Sequence, residues 1–173
     1  MWSDRDEYDS LEGFDTAQVC MNGHMINACV RRNPEFNQKC CDKCGAPTIT
    51  NCEKCNSPVQ GLRMNTSFLA PDPGRHIAPR GFCYECGAPY PWTKARLDAA
   101  KEFADMLEGL SDDEREKLKE SLTDLVADTP RTALAATKWK FYLAKAGQFV
   151  ADGFKEVMYD IAVEAAKRGI WGS

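Results

Sequence analysis

Residues 41–55, CDKCGAPTITNCEKC, contain two pairs of cysteines, and two residues separate the thiols within each pair. This spacing lets one tight turn direct both sulfurs at a single metal ion, and the backbone amides that follow can hydrogen-bond to the thiolates. Gly45 follows the first pair and Asn56 follows the second. These residue types tolerate a positive φ best. The stretch therefore predicts two consecutive metal-binding turns, here called knuckles.

Two further pairs of metal-binding residue types flank this stretch. Before it, Cys20 and His24 are separated by three residues that include the turn-forming dipeptide Asn22-Gly23. After it, Cys83-Tyr84-Glu85-Cys86-Gly87 repeats the knuckle pattern. Eight ligands are enough for two tetrahedral sites, so we predict two Zn²⁺ ions per chain. The predicted ligands are Cys20, His24, Cys41, Cys44, Cys52, Cys55, Cys83 and Cys86.

The order in which the four pairs combine is less constrained than the identity of the ligands. Joining neighbours gives one site with three cysteines and a histidine, and one site with four cysteines. The neighbouring pairs are 16 and 27 residues apart, which leaves room for the hairpins of a zinc ribbon. A cross-braced order, first with third and second with fourth, stays open, although only seven residues separate Cys44 from Cys52.

Nine cysteines in a chain of 173 residues also bear on the cell compartment. The count is odd, and the acidic N-terminus lacks the basic and apolar segments of a signal peptide, which favours metal binding in a reducing cytoplasm over disulfides. Cys29 and Cys40 are left over and are interpreted as small buried apolar residues, with a substitute ligand or a redox-sensitive thiol as alternatives. His76 is interpreted as a solvent-exposed side chain in a proline-rich loop.

Composition divides the chain into three segments. Residues 1–19 hold six acids and one base, which predicts an acidic N-terminal arm. Residues 20–92 hold every cysteine, both histidines and eight of the nine prolines, which predicts a double zinc-ribbon module rich in turns. Residues 93–173 contain no cysteine and one proline, which predicts a helical domain. The predicted fold class is α+β, a small metal-organised double zinc ribbon with short β-hairpins followed by an all-α tail or bundle.

The helical segment carries its own boundary signals. Apolar residues at three- and four-residue intervals predict a first helix over about 94–110. Ser111 and Glu114 are spaced as a capping box that starts a second helix. A third stretch begins at Pro130 and runs to about Arg168, with a bend near Gly147 or at residues 152–153, because one straight helix would be too long. Its wide apolar surface fits a central bundle helix, or a surface for self-association or protein docking.

The predicted ligand sets argue against catalysis. Each site has four protein ligands, whereas catalytic zinc keeps one position open, and the chain has no Gly-rich phosphate loop or serine-nucleophile motif. We therefore expect no enzyme. We expect a cytoplasmic interaction or regulatory scaffold, with a protein partner or a second copy bound through the helical tail. No apolar run is long enough for a membrane helix, so no membrane association is expected.

Two other functions stay open. Zinc ribbons can bind nucleic acid, and the sequence offers two candidate basic patches: Arg31, Arg32, Lys39, Lys43 and Lys54 with Phe36 as a stacking ring, or Arg63, Arg75, Arg80 and Trp92. Seven thiolates and two zinc ions would bring the metal module to a net charge of about zero, which disfavours this alternative. A rubredoxin-like electron carrier is the second alternative, weakened by the histidine in one site.

The four ligand pairs occur in the order Cys-x-Asn-Gly-His, Cys-x-x-Cys-Gly, Cys-x-x-Cys and Cys-x-x-Cys-Gly-x-Pro-Tyr-Pro-Trp. This order resembles an uncharacterised bacterial family of double zinc-ribbon proteins with rubredoxin-like knuckles, carried as a domain of unknown function. The resemblance extends over nearly the whole chain, through residues 14–18, 36–39 and 128–132. It implies the same eight ligands, and it implies that Cys40 stands where the family has an aromatic residue. It implies zinc binding and a fold, but no activity.

Overall fold

The structure is a computed structural model, and it describes residues 13–63, 74–146 and 148–172. The chain has the predicted α+β class, with short antiparallel strands in its N-terminal half and helices in its C-terminal half. It divides into two compact units, with the boundary between Trp92 and Thr93. None of the helices in these ranges combines the length and apolar character needed to cross a membrane.

The first unit contains two small antiparallel sheets and is called the metal unit below. Its five strands are β1 (Phe14–Thr16), β2 (Gln18–Cys20), β3 (Met25–Asn27), β4 (Thr48–Ile49) and β5 (Gln60–Arg63). Strand β1 pairs with β5, and the other sheet has the order β3-β2-β4. A 3₁₀ turn covers Pro34–Phe36. Strands of two to four residues bury little surface, so the sheets need additional support.

The core of the metal unit lies between these strands and the knuckles. Its buried members are Ala17, Val19, Met25, Ala28, Cys52, Val59, Cys83, Tyr90 and Trp92. The rings of Tyr90 and Trp92 stack with their centroids 4.8 Å apart. The predicted acidic arm covers residues 1–19, but residues 14–19 form β1 and most of β2, and Asp15 is buried with the core. The rest of the predicted arm, residues 1–12, lies outside the described residues.

The second unit is helical. Helix α1 begins just before the unit boundary, and the helices are α1 (Pro91–Met106), α2 (Asp112–Glu120), α3 (Thr123–Val126), α4 (Thr132–Ala146), α5 (Gln148–Met158) and α6 (Glu164–Trp171). The predicted capping box is present at the start of α2. The Glu114 amide donates to Ser111 Oγ at 3.3 Å, and the Ser111 amide donates to Glu114 Oε2 at 2.9 Å.

Helix α4 is central in this unit, since it contacts α2, α3, α5 and α6. Its Trp139 is fully buried, stacks on Phe154 at 4.3 Å and donates from Nε1 to Ser121 Oγ at 3.1 Å. Helix α4 ends at Ala146 and α5 begins at Gln148, so one of the two predicted bends, near Gly147, falls outside the described residues. Residues 152–153, the other predicted place for a bend, lie inside α5, and the break over residues 159–163 was not predicted.

Candidate metal centres

The first cluster of metal-binding side chains is formed by Cys20, His24, Cys41 and Cys44, whose ligand atoms all lie within 4.8 Å of one another. The Cys20 and Cys44 sulfurs are 3.8 Å apart, and His24 Nδ1 lies 3.5 Å from the sulfurs of both Cys20 and Cys41. Two thiolates bound to one tetrahedral zinc ion lie about 3.8 Å apart, and a thiolate and an imidazole nitrogen lie about 3.6 Å apart. The separations therefore fit a shared ion.

The β2–β3 hairpin positions the first pair of this cluster. Cys20 ends β2, and the turn to β3 passes through Gly23, whose φ is +87°. The Gly23 amide donates to the Cys20 carbonyl at 2.9 Å, and the His24 amide donates to Cys20 Sγ at 3.2 Å. A Cβ atom on Gly23 would lie 2.9 Å from Trp92 Cβ. The turn thus needs glycine for its conformation and for its close contact with Trp92.

The second cluster is formed by Cys52, Cys55, Cys83 and Cys86, whose sulfurs also lie within 4.8 Å of one another. Cys52 and Cys86 are 3.8 Å apart, and Cys55 and Cys83 are 3.6 Å apart. These separations fit a four-cysteine zinc site equally well. Both clusters join neighbouring pairs along the chain, so the arrangement is the sequential one and the cross-braced alternative is wrong.

The three Cys-x-x-Cys knuckles share one backbone geometry. In each, the residue after the second cysteine has a positive φ, with values of +71° at Gly45, +62° at Asn56 and +67° at Gly87. The amide of that residue donates to the carbonyl of the first cysteine at 2.8 to 2.9 Å. A single β-bridge then closes each knuckle onto a proline, Pro47, Pro58 or Pro89. Cysteine spacing and the positive-φ residue together explain why these segments fold as knuckles.

Local hydrogen bonds favour the thiolate form at one exposed cysteine of each cluster. The backbone amide of Ala46 lowers the pKa of Cys44 to about 6. The hydroxyl of Ser57, 3.3 Å from the sulfur, and the Ser57 amide lower the pKa of Cys55 to about 6. Zinc binds thiolates, so a cysteine that is already deprotonated near neutral pH favours metal binding.

The pKa values of other ligand thiols shift in both directions, and the backbone amide of Cys86 lowers the pKa of Cys83. Burial raises the pKa of Cys20. The Ala88 amide lowers the pKa of Cys86, but burial and the three neighbouring thiols outweigh it and raise that pKa to about 11. Four thiolates cannot be packed at these distances without a cation, because their charges repel. The donor set therefore fits a bound divalent ion.

The two leftover cysteines differ in environment. Cys29 is buried and accepts a hydrogen bond from the Arg32 guanidinium at 3.2 Å, which agrees with a structural thiol. Cys40 is exposed, so its prediction as a buried residue is wrong. Cys41 is directed into the cluster, and adjacent residues in an extended segment point to opposite sides, which leaves Cys40 outside. His76 is exposed and belongs to neither cluster.

Sequence reasoning missed several side chains that contact the clusters or lie near them. Asn22 donates from Nδ2 to Cys44 Sγ at 3.4 Å, although the sequence indicated only a turn residue there. Ser57 contacts Cys55, and its position two residues after the knuckle was the only available signal. Within residues 13–63, 74–146 and 148–172, no third group of His, Cys, Asp or Glu has the geometry to hold a metal ion.

Comparison with known proteins gives one family match. A family model described as "Uncharacterized protein conserved in bacteria (DUF2321)" matches residues 13–170. No curated protein and no solved structure matches the chain.

Proposed function

The chain belongs to DUF2321, an uncharacterised protein family conserved in bacteria, and we propose that it is a structural zinc protein that acts as a non-enzymatic interaction scaffold. The observation that supports this proposal is the geometry of the two clusters. Each brings four protein donors to the separations of one tetrahedral zinc ion, which leaves no coordination position for water or substrate. In this proposal the metals hold the fold and take no part in chemistry.

The donor types favour zinc over other metals. Thiolates and imidazole are soft or borderline ligands, and a tetrahedral set of three cysteines and one histidine is typical of structural zinc. Iron would fit the four-cysteine cluster alone, as in an electron carrier. Structural zinc contributes about 10–16 kcal/mol in finger peptides, so two ions would stabilise strands as short as those of the metal unit. The ligand thiols must stay reduced, which is consistent with a cytoplasmic protein.

The helical unit is the proposed assembly element of the scaffold. Phe149 is 90% exposed, and Phe141 and Leu134 are 55% and 54% exposed. Lys145 Nζ lies 4.3 Å from the centroid of the Phe141 ring, so this part of α4 combines apolar and cationic character. Burying large apolar side chains between two copies would remove them from water. We therefore propose self-association through the helical unit.

Native mass spectrometry of the purified full chain tests both parts of the proposal. We expect two zinc ions per chain and a defined oligomer. In Cys52→Ser the zinc content should fall below two ions per chain, whereas the control Cys40→Ser should keep both, because Cys40 lies outside the clusters. Iron, a single metal ion in the parent, or two ions in Cys52→Ser would contradict the zinc proposal.

Sedimentation velocity of Phe149→Ala separates assembly from metal binding. We expect dissociation of the oligomer with an unchanged metal content. Met106→Ala is the matched control, since Met106 is also an exposed apolar residue of the helical unit but lies on α1. A monomeric parent, or an oligomer unaffected by Phe149→Ala, would contradict self-association through this surface.

A further inference from the structure

A surface cleft of about 500 Å³ lies in the metal unit, outside both clusters. Its lining includes Phe14, Pro58, Gln60 and Tyr84. Phe14 is 40% exposed and Tyr84 is 59% exposed. They are the only large apolar side chains among the described residues of this unit that are so exposed. Two accessible rings in one cleft provide faces on which a flat ligand can stack.

Three arginines lie near Phe14, and one of them lines the cleft. Arg31 lines it and donates from Nη2 to the Phe14 carbonyl at 2.7 Å. The Arg80 guanidinium carbon lies 6.0 Å from the centroid of the Phe14 ring. Arg63 is the cross-strand partner of Phe14 in the β1–β5 sheet, and directly paired residues project from the same face. A stacked ligand at Phe14 would therefore meet guanidinium groups.

The acid in the cleft lining does not cancel this positive charge. The Asp15 side chain has no exposed surface and lies 3.5 Å from Arg31 Nε and 3.4 Å from Arg32 Nε. Its oxygens also accept hydrogen bonds from the amides of Thr16, Arg31 and Arg32. One carboxylate faces two guanidinium groups, so Asp15 offsets only part of the charge of Arg31 and Arg32.

Two residues that line the cleft, Pro58 and Tyr84, belong to the knuckles of the four-cysteine cluster. Tyr84 lies inside the knuckle between Cys83 and Cys86, and Pro58 closes the knuckle of Cys52 and Cys55. Metal binding would fix both knuckles and hold Tyr84 and Pro58 in place. This inference thus rests on the proposed structural role of the metal and assigns a surface that the metal maintains.

We propose that this cleft binds single-stranded nucleic acid. An unpaired base stacks on Phe14 or Tyr84, the neighbouring phosphates pair with Arg31 and Arg80, and the Gln60 amide hydrogen-bonds to a base edge. Stacking on exposed rings beside cationic side chains is how sequence-tolerant proteins hold single strands. A duplex fits less well, because its base faces are already stacked and cannot reach the rings.

The formal net charge of –4 does not exclude this ligand. At physiological ionic strength the Debye length is about 8 Å, so distant acids are screened while arginines in contact with phosphates are not. A site with two or three phosphate contacts has a modest salt dependence. For a single strand, log K falls against log salt with a slope of about –1.4 for two contacts and about –2.1 for three.

Fluorescence anisotropy of a labelled single strand of about ten nucleotides, titrated with the zinc-loaded full chain, tests the proposal. We expect saturable binding that weakens about three- to fourfold for each doubling of salt. Unlabelled single strand should displace the probe, whereas inorganic phosphate, a mononucleotide and a duplex should compete much more weakly. Equal competition by the mononucleotide or the duplex would overturn the single strand as the ligand.

Substitutions locate the site. Phe14→Ala and Tyr84→Ala should each weaken binding by at least about fivefold, as expected for the loss of one stacking ring. Tyr84→Phe keeps the ring and should bind like the parent. Phe141→Ala, an exposed aromatic of the helical unit, is the matched control and should also bind like the parent. Thermal melts of each variant confirm folding, and Tyr84→Leu tests the aromatic requirement without a large loss of volume.

The outcomes separate this inference from the proposed function. One outcome is two zinc ions by native mass spectrometry but no saturable strand binding up to about 10⁻³ M protein, which is beyond the usual non-specific range. This outcome would overturn the proposal that the cleft binds single strands and would support the structural zinc proposal. Strand binding unchanged in both alanine variants would overturn the cleft as its location. Fewer than two ions in a parent that still binds the strand through Phe14 and Tyr84 would contradict the zinc proposal alone.

Discussion

At the scale of single residues, Gly23 links the first metal centre to the core. It has a positive φ, and a Cβ atom at this position would lie 2.9 Å from Trp92 Cβ. Trp92 Cβ is attached directly to the backbone and therefore has little freedom to move. We predict that Gly23→Ala destabilises the protein by about 2 kcal/mol or more, measured by denaturant unfolding with zinc present.

Gly45→Ala is the matched control for this prediction. Gly45 also has a positive φ, but a Cβ atom there would meet nothing within 4 Å. We expect a loss of about 1 kcal/mol from the backbone conformation alone. Equal losses in the two variants would show that the Trp92 contact has no energetic importance.

The accessibility of Cys40 leads to a second prediction at this scale. In the zinc-loaded protein we expect one fast-reacting thiol per chain towards iodoacetamide, identified as Cys40 by peptide mass spectrometry. Metal binding protects the donor atoms of the eight ligands from alkylation, and Cys29 is buried beside Arg32. Cys40→Ser should abolish the fast phase. Rapid labelling of Cys44 or Cys55 in the loaded protein would contradict their assignment as ligands.

Residue-level prediction worked where the determinant is local. Knuckle geometry follows from cysteine spacing and the next residue, so residues such as Gly45 and Asn56 could be recognised in the sequence. The exposure of Cys40 depends on which side of an extended segment faces the cluster, and the burial of Asp15 depends on arginines 16 and 17 positions away. Short sequence windows do not contain that information.

At the scale of secondary-structure elements, helix α2 depends on its capping box. We predict that Ser111→Ala lowers the stability of the helical unit by about 1 kcal/mol, measured by denaturant unfolding monitored through helical circular dichroism. Ser111→Asp keeps an N-cap acceptor and should lose much less. Equal losses in both variants would show that another interaction starts the helix.

The capping box also predicts a pH dependence. The Ser111 amide and hydroxyl hold the pKa of Glu114 below its ordinary value. A carboxyl group with a lowered folded-state pKa stabilises the protein above its unfolded-state pKa, and this contribution is lost as the pH falls through the folded value. The parent should therefore be more stable than Glu114→Gln at neutral pH, and unfolding titrations should show the difference shrinking in acid. A difference that is independent of pH would contradict this role.

Element boundaries were predicted less well than element types. Helix α1 covers Pro91–Met106 instead of 94–110, because Pro91 suits a first helical position and Gly109, with φ of +76°, lies in the turn that follows. Helix α4 begins at Thr132, two residues after Pro130. The break after α5 has no proline or glycine within residues 159–163, so tertiary packing and not a local signal sets it.

At the scale of the whole molecule, the division into two units predicts two separable unfolding events. The helical unit has its own core around Trp139, whereas the metal unit depends on its clusters. We predict that Cys52→Ser or a strong chelator unfolds the metal unit and leaves most of the helical circular dichroism intact. Trp139→Ala, expected to cost about 3–5 kcal/mol, should lower the other transition instead. One transition affected equally by both changes would contradict this independence.

The sequential grouping of the four ligand pairs also has a consequence for biosynthesis. All donors of the first cluster lie within residues 20–44, and every donor of the second follows from residue 52 onward. During translation from the N-terminus, the first cluster is complete before any donor of the second is synthesised. An ion can therefore be captured while the ribosome is still extending the chain, without competition from later thiols. The order of the ligands along the chain thus sets the order in which the two sites can bind metal during synthesis.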